Sequence, residues 1–289
     1  MKTLSYPLLM TLGTALAFAA TPAPVDFHDH IGLQLWSLRD MTKTDQPGAL
    51  DLVKSYGIKE IETAGFNGLS AADYLKLCQT RGITPVCGHF GYDDLGKDLD
   101  KAISDAKALG VHYVCVAWIP HGEGALTSEV AHQAAANFNK WGAAFRAAGL
   151  RLGYHPHGYE FLPDATEGGR TGFDILMQET KAENLFLEMD VFWIYHAEQD
   201  PVKMLKQYPD RWLMMHVKDI RKGAPRDVTH GASAPATDNV AVGDGQIDWK
   251  AVLGTAQSLG VKYYFIEDET PSPLTCIPAS LKYLRGLKL

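Results

Sequence analysis

Cysteine is scarce in this chain: four among 289 residues, none in CxxC spacing, which excludes a disulfide framework. Basic charge is also short, with 27 Lys and Arg against 34 Asp and Glu. The formal charge of -7 argues against a nucleic-acid partner, because such proteins usually carry a basic excess or stripe. No GxGxxG opens the first strand–helix unit, and no linker interrupts the chain. The single N-terminal apolar run is broken by Pro7 and Gly13 and is too short for the roughly 20 residues of a spanning helix. No cysteine follows that run before Cys78, so a lipid anchor on cysteine is not expected. What remains is an ordinary globular mixture, 46% hydrophobic and 21% charged, long enough for a sizeable core.

The first 19 residues have the layout of a signal peptide: Lys2, an apolar stretch of Leu, Met and Ala, then Ala17-Phe18-Ala19. Residues 20–30, with Thr21-Pro22-Ala23-Pro24, read as a tether, and 31–289 as one domain. The expectation is a secreted protein, periplasmic in a Gram-negative host, with no membrane anchor and with buried thiols.

Short apolar runs recur at 31–35, 58–61, 83–87, 111–118, 150–154, 185–189, 212–217 and 261–266. Stretches with apolar residues at helical spacing lie between them, at 49–56, 71–80, 99–109, 130–148, 173–180, 201–207 and 249–259. Several end in a glycine just before the next run, the usual helix-to-strand loop. Eight alternating units predict an α/β fold, a closed (β/α)8 TIM barrel with a parallel sheet. The Gly-, Pro- and Thr-rich stretch 222–242 reads as a long loop over the active face, a candidate lid.

A barrel of this kind builds its site at the C-terminal mouths of the strands. Those positions here hold Gln34, Glu62, His89, Trp118 with His121, then His155, His157 and Glu160, then Asp190, His216 with Lys218, and Glu267. Polar groups directly after buried runs are costly unless paired or ligated. Glu160, Asp190, His216 and Glu267 form a set of three carboxylates and one imidazole from the fifth to eighth strands. Such donors suit one divalent ion: Mn²⁺, Mg²⁺, Co²⁺ or Zn²⁺. Glu188 lies two before Asp190, hence one layer deeper, as a hydrogen-bonded support. His157, Glu160 and Lys218 are the candidates for proton transfer, Lys218 alternatively pairing with Asp219 or Glu62. Glu62, His89 and His155 are candidates for holding substrate hydroxyls, with Trp36, Trp118 and Trp193 as stacking surfaces.

Seven segments give a resemblance: GLQLWSLRD (32–40), EIETAGF (60–66), GYHPHGYEF (153–161), LEMDVFWIYHAEQDP (187–201), MMHVKDI (214–220), VGDGQIDW (242–249) and YFIEDE (264–269). Together they make the chain similar to the xylose isomerase-like TIM barrels, in the sugar phosphate isomerase/epimerase subgroup. The resemblance implies one divalent ion on two Glu, one Asp and one His, matching Asp190, His216 and Glu267. Its strand-5 glutamate is absent: Tyr154-His155 stand there, leaving Glu160 as fourth ligand with His155 its competitor. It implies proton abstraction α to a sugar carbonyl through an enediolate, giving isomerisation or epimerisation. The alternatives are a lyase or hydratase acting on 3-keto-glycosides and a non-catalytic sugar-binding protein. Export and the lack of a phosphate cradle favour a free sugar, keto-sugar or glycoside over a phosphorylated one. A homo-oligomer is left open.

Overall fold

The structure, a computed structural model, describes residues 26–122, 124–164, 166 and 168–289. The expected signal peptide and the first part of the tether therefore lie outside the described residues. In chain order the elements are β1 (Ile31–Gln34), α1 (Arg39–Thr44), α2 (Gln46–Ser55), β2 (Glu60–Thr63), α3 (Ala71–Gln79), β3 (Thr84–His89), α4 (Tyr92–Lys97) and α5 (Leu99–Leu109). They continue with β4 (Tyr113–Val116), α6 (Ser128–Ala147), β5 (Arg151–Tyr154), α7 (Gly172–Glu179), β6 (Phe186–Asp190), α8 (Val191–His196), α9 (Pro201–Gln207) and β7 (Trp212–Val217). The last are β8 (Asp219–Ile220), β9 (Asn239–Val240), α10 (Trp249–Ser258), β10 (Tyr263–Ile266) and α11 (Pro273–Gly286).

Eight of these strands close a parallel barrel in the order β1-β10-β7-β6-β5-β4-β3-β2, as the alternating pattern predicted. β8 and β9 form a separate antiparallel ladder. Six of the eight barrel strands begin one or two residues after their apolar runs do, and β1 and β7 begin with them. Gly110 closes α5 in the left-handed conformation (φ 76°), where a side chain would be strained. Helix α11 was not among the periodic stretches read from sequence; Ile277, Leu281 and Leu284 bury one of its faces.

Alternation along the strands separates two cores. Leu187, Met189, Met215 and Val217 belong to the large cluster shared with the helices. Cys87, Cys115, Phe186, Met214 and Phe265 form a second cluster, the apolar floor of the barrel interior. Two glycines make room for its aromatic rings. A Cβ on Gly153 would stand 2.3 Å from the Phe186 ring, and one on Gly32 would stand 2.6 Å from the Phe265 ring. Cys78, Cys87 and Cys115 are buried, as expected of unpaired thiols.

Candidate active site

Two residues beyond the apolar floor, the same inward-facing positions turn polar. Cys87 is followed by His89, Phe186 by Glu188, Met214 by His216 and Phe265 by Glu267. With Gln34, Glu62 and His155 they make a polar layer across the barrel, buried except at the partly exposed His89. Its bonds are internal. Gln34 donates to Glu62 at 2.8 Å, and His216 Nε2 donates to Glu62 Oε2 at 2.6 Å. Glu188 Oε2 lies 3.2 Å from His89 Nε2, 3.2 Å from His155 Nδ1 and 3.3 Å from His216 Nε2. Burial alone lowers the pKa of His89, but Glu62 and Glu188 push it up to about 10.

The next positions outward are Asp190, Lys218 and Glu269. Asp190 accepts from Trp193 N at 3.1 Å and so caps α8, a bond that leaves its other oxygen facing inward. That Oδ2 and His216 Nδ1 are buried and have no hydrogen-bond partner among the described residues. They lie 3.9 Å apart, and His216 Nδ1 is 3.4 Å from Glu267 Oε2. Orphaned, fully buried polar atoms are rare, and a shared cation would satisfy both. Glu62 takes the Nε2–H of His216, which leaves Nδ1 as the atom a cation would meet on displacing its proton, the carboxylate–histidine arrangement that orients metal ligands. Asp190, His216 and Glu267 therefore fit a cation by donor type and spacing.

Lys218 neighbours this trio. Its ammonium is 3.0 Å from Glu267 Oε2 and 3.7 Å from Asp190 Oδ2, and it also donates to Glu269. Burial alone lowers its pKa, but Glu267 and Asp190 raise it far above the usual lysine range. Asp219 and Glu62 were the partners the sequence offered for Lys218. The structure corrects this, because three carboxylates surround Lys218 whereas Asp219 faces Trp249 and the loop backbone. Burial raises Glu267 by itself, yet Lys218 and His216 hold its carboxyl well below the ordinary range.

A cavity of about 780 Å³ opens above these groups, reaching His89, His155, His157, Glu267 and Glu269. Trp36 and Trp118 stand on its wall 43% and 46% exposed, and Trp193 is nearly buried. In the barrel order, β10 with Glu269 lies across from β4 with Trp118. Trp36 Nε1 donates to Glu269 Oε1 at 2.9 Å, which ties this wall to Lys218. His157 lies between Trp118 and Trp193, with ring centroids 5.9 Å from each. Its Nδ1 has no hydrogen-bond partner among the described residues, and burial, then His155, keeps its pKa well below normal.

The 222–242 loop is tied down rather than free. Asp227 N donates to His196 O at 2.8 Å, Arg226 donates to the carbonyls of Tyr195 and Gln199, and Arg221 pairs with Asp238 at 2.6 Å. Ala232 brings it to the cavity wall.

The structure therefore brings together Asp190, His216, Glu267 and Lys218, with His89, His155, His157, Trp118 and Trp193 around the same cavity. Two sequence-based assignments are corrected. Glu160 is not beside the trio: Tyr154 Oη and the N–H groups of His157 and Gly158, the last at 2.7 Å, all donate to it. It is consumed in shaping its own loop, as a carboxylate with several donors must be when fully buried. Glu62 has no solvent exposure and is bonded to Gln34 and His216, so it supports ligands rather than touching substrate hydroxyls. Glu269 was missed. Its signal was the same period of two that links His216 to Lys218, applied to IEDE. Gln34 was noted at a strand end without a role.

A model of the family described as xylose isomerase-like TIM barrel matches residues 50–287. Inosose dehydratases of two Clostridium perfringens strains are 26% identical over 164 residues, 54% of this chain and 53% of theirs. The chain thus aligns with about half the length of these curated relatives. A sugar phosphate isomerase/epimerase structure from Parabacteroides distasonis superposes with a TM-score of 0.72 at 22% identity, covering 89% of this chain and 98% of that one. An IolI protein with a zinc atom superposes at 0.65 and 16% identity, over 88% and 94%. A probable 3-DHS dehydratase, AsbF from Bacillus anthracis, does so at 0.66 and 12%, over 90% and 100%. At these identities the structures speak to the fold.

Proposed function

We propose that this chain, which belongs to the xylose isomerase-like TIM barrel family, is a divalent-metal-dependent enzyme that removes a proton α to the carbonyl of a sugar or sugar-like polyol. The observation that carries this reading is the convergence of Asp190 Oδ2, His216 Nδ1 and Glu267 Oε2, where Glu267 shares a cavity with His157, whose Nδ1 has no hydrogen-bond partner among the described residues. Asp190, His216 and Glu267 would hold the ion, which when bound supplies Lewis-acid stabilisation of charge on the carbonyl oxygen.

His157 is the base: its ring is neutral and faces the cavity, and Trp118 and Trp193 fix its place. Lys218, held protonated by its three carboxylates, supplies positive charge to oxygen rather than removing a proton. Trp36 and Trp118 present flat apolar faces to the apolar side of a sugar ring. Return of the proton by His157 to the neighbouring carbon, or to the other face, gives isomerisation or epimerisation.

A second reading, loss of a β-hydroxyl or β-alkoxyl group as in a dehydratase or 3-keto-glycoside lyase, draws support from the relatives named inosose dehydratase. The signal-peptide layout of residues 1–19 supports a substrate met outside the cytoplasm, which is part of this proposal.

The test is exchange of the α hydrogen with solvent deuterium, followed by NMR over free ketoses, aldoses, inososes and 3-keto-glycosides. Exchange that needs the added ion and is lost in His157→Ala is expected. A conjugated carbonyl product would select the elimination reading. Absence of exchange across the panel, with the ion bound, refutes the proposal.

A further inference from the structure

We propose that a second divalent cation binds one layer below the first, held by His89, His155, Glu188 and Glu62. His89, His155 and Glu188, from β3, the end of β5 and β6, offer donor atoms within 4.8 Å of one another, and Glu62 of β2 flanks His89. His89 Nε2 is 3.1 Å from Glu62 Oε1 and 3.2 Å from Glu188 Oε2; His155 Nδ1 is 3.2 Å from Glu188 Oε2. Ligands about 2.0–2.1 Å from a tetrahedral ion stand about 3.4 Å from one another, so these separations need little change.

Three further observations favour an ion over a purely hydrogen-bonded cluster. Glu188 Oε2 faces three imidazole nitrogens at once, more donors than one carboxylate oxygen accommodates well. Glu62 Oε1 and Glu188 Oε1 are fully buried without a hydrogen-bond partner among the described residues. Two carboxylates, Glu62 and Glu188, also share this level with no solvent exposure, a like-charge pair that a cation would relieve.

The two sites need no common ligand. Glu62 would bind through Oε1 while Oε2 keeps its bonds from His216 and Gln34. His216 then presents only Nδ1 to the upper site. His89 lines the cavity and gives the lower site its entry path. Two imidazoles, which bind a metal only after giving up any extra proton, and two carboxylates select Zn²⁺ or Co²⁺ over Mg²⁺ or Ca²⁺.

The experiment is metal counting. The chain is stripped with chelator, dialysed against Zn²⁺ and analysed by mass spectrometry of the metal, with circular dichroism confirming fold. Two ions per chain are expected, falling to one in His89→Gln and to one in Asp190→Asn. Glu188→Gln, whose amide keeps the size and hydrogen-bonding capacity of the side chain, repeats the count and is also expected to hold one. One ion in the wild-type chain overturns the second site and leaves the function above standing. An unchanged count in folded His89→Gln and Glu188→Gln also overturns it. No bound ion overturns both.

Discussion

Replacing Lys218 by Met removes the one ammonium from a pocket with three carboxylates while keeping much of the side-chain volume. Two of the contacts are 3.0 Å to Glu267 and 3.7 Å to Asp190, with Lys218 itself only 2% exposed. At an effective dielectric of about 20, each is worth about 4–6 kcal/mol before desolvation is subtracted. Breaking a buried pair by deleting one partner typically costs about 3–5 kcal/mol. In chelator at pH 8 the variant should lose that amount, a fall of about 6–10 °C in Tm at about 2 °C per kcal/mol. A divalent ion takes over the neutralising role. At 100 times its Kd an ion adds about 2.7 kcal/mol to any binder, and the variant should bind it more tightly than wild type and recover most of the deficit.

The pH dependence has a definite sign. In wild type, Lys218 and His216 hold the Glu267 carboxyl low, so its contribution is present above the ordinary carboxylate pKa and is lost in acid. In Lys218→Met the carboxylates lose that partner, so their pKa values rise and the folded state binds extra protons. The deficit therefore grows with pH and narrows on acidification. Thermal unfolding with and without Zn²⁺ or Mn²⁺ from pH 5 to 8 checks this. A variant as stable as wild type in chelator at pH 8, or one that ion leaves equally impaired, refutes the placement of Lys218 beside an ion site.

Other substitutions separate scaffold from site. Glu160→Gln should leave metal content unchanged and cost about 1–2 kcal/mol in urea unfolding, since it disturbs the bonds of its own loop; loss of an ion would restore Glu160 as a ligand. Asp219 accepts from Ile220 N, Gly243 N, Gly245 N, Ile247 N and Trp249 Nε1, the last at 2.8 Å. Asp219→Ala should therefore cost about 3–4 kcal/mol with metal content retained once folded, because several buried donors lose their acceptor together. Trp118→Ala should raise KM several-fold and lower kcat as well, because the indole both offers a stacking face and flanks the His157 ring at 5.9 Å; an unchanged kcat would leave it a stacking surface alone.

The barrel was legible in the order of the residues because its signals are local. An apolar run of four to eight residues followed by an amphipathic stretch and a glycine defines one βα unit wherever it sits, and eight of them leave few ways to close. The strand-end positions of Asp190, His216 and Glu267 followed from the same rule. Glu160 shows where local reading stops. Counting along the chain places a carboxylate near the fifth strand's mouth, but Tyr154 and two backbone N–H groups compete for it, and only the turn of the HPHG segment decides that they win. The partners of Lys218 were equally out of reach, since Glu267 and Glu269 are 49 and 51 residues away and meet it only because β10 lies beside β7. The chain's order set the period, the faces and the donor types. Barrel closure set which nitrogen faces which oxygen, because those distances depend on strands brought together from opposite ends of the sequence.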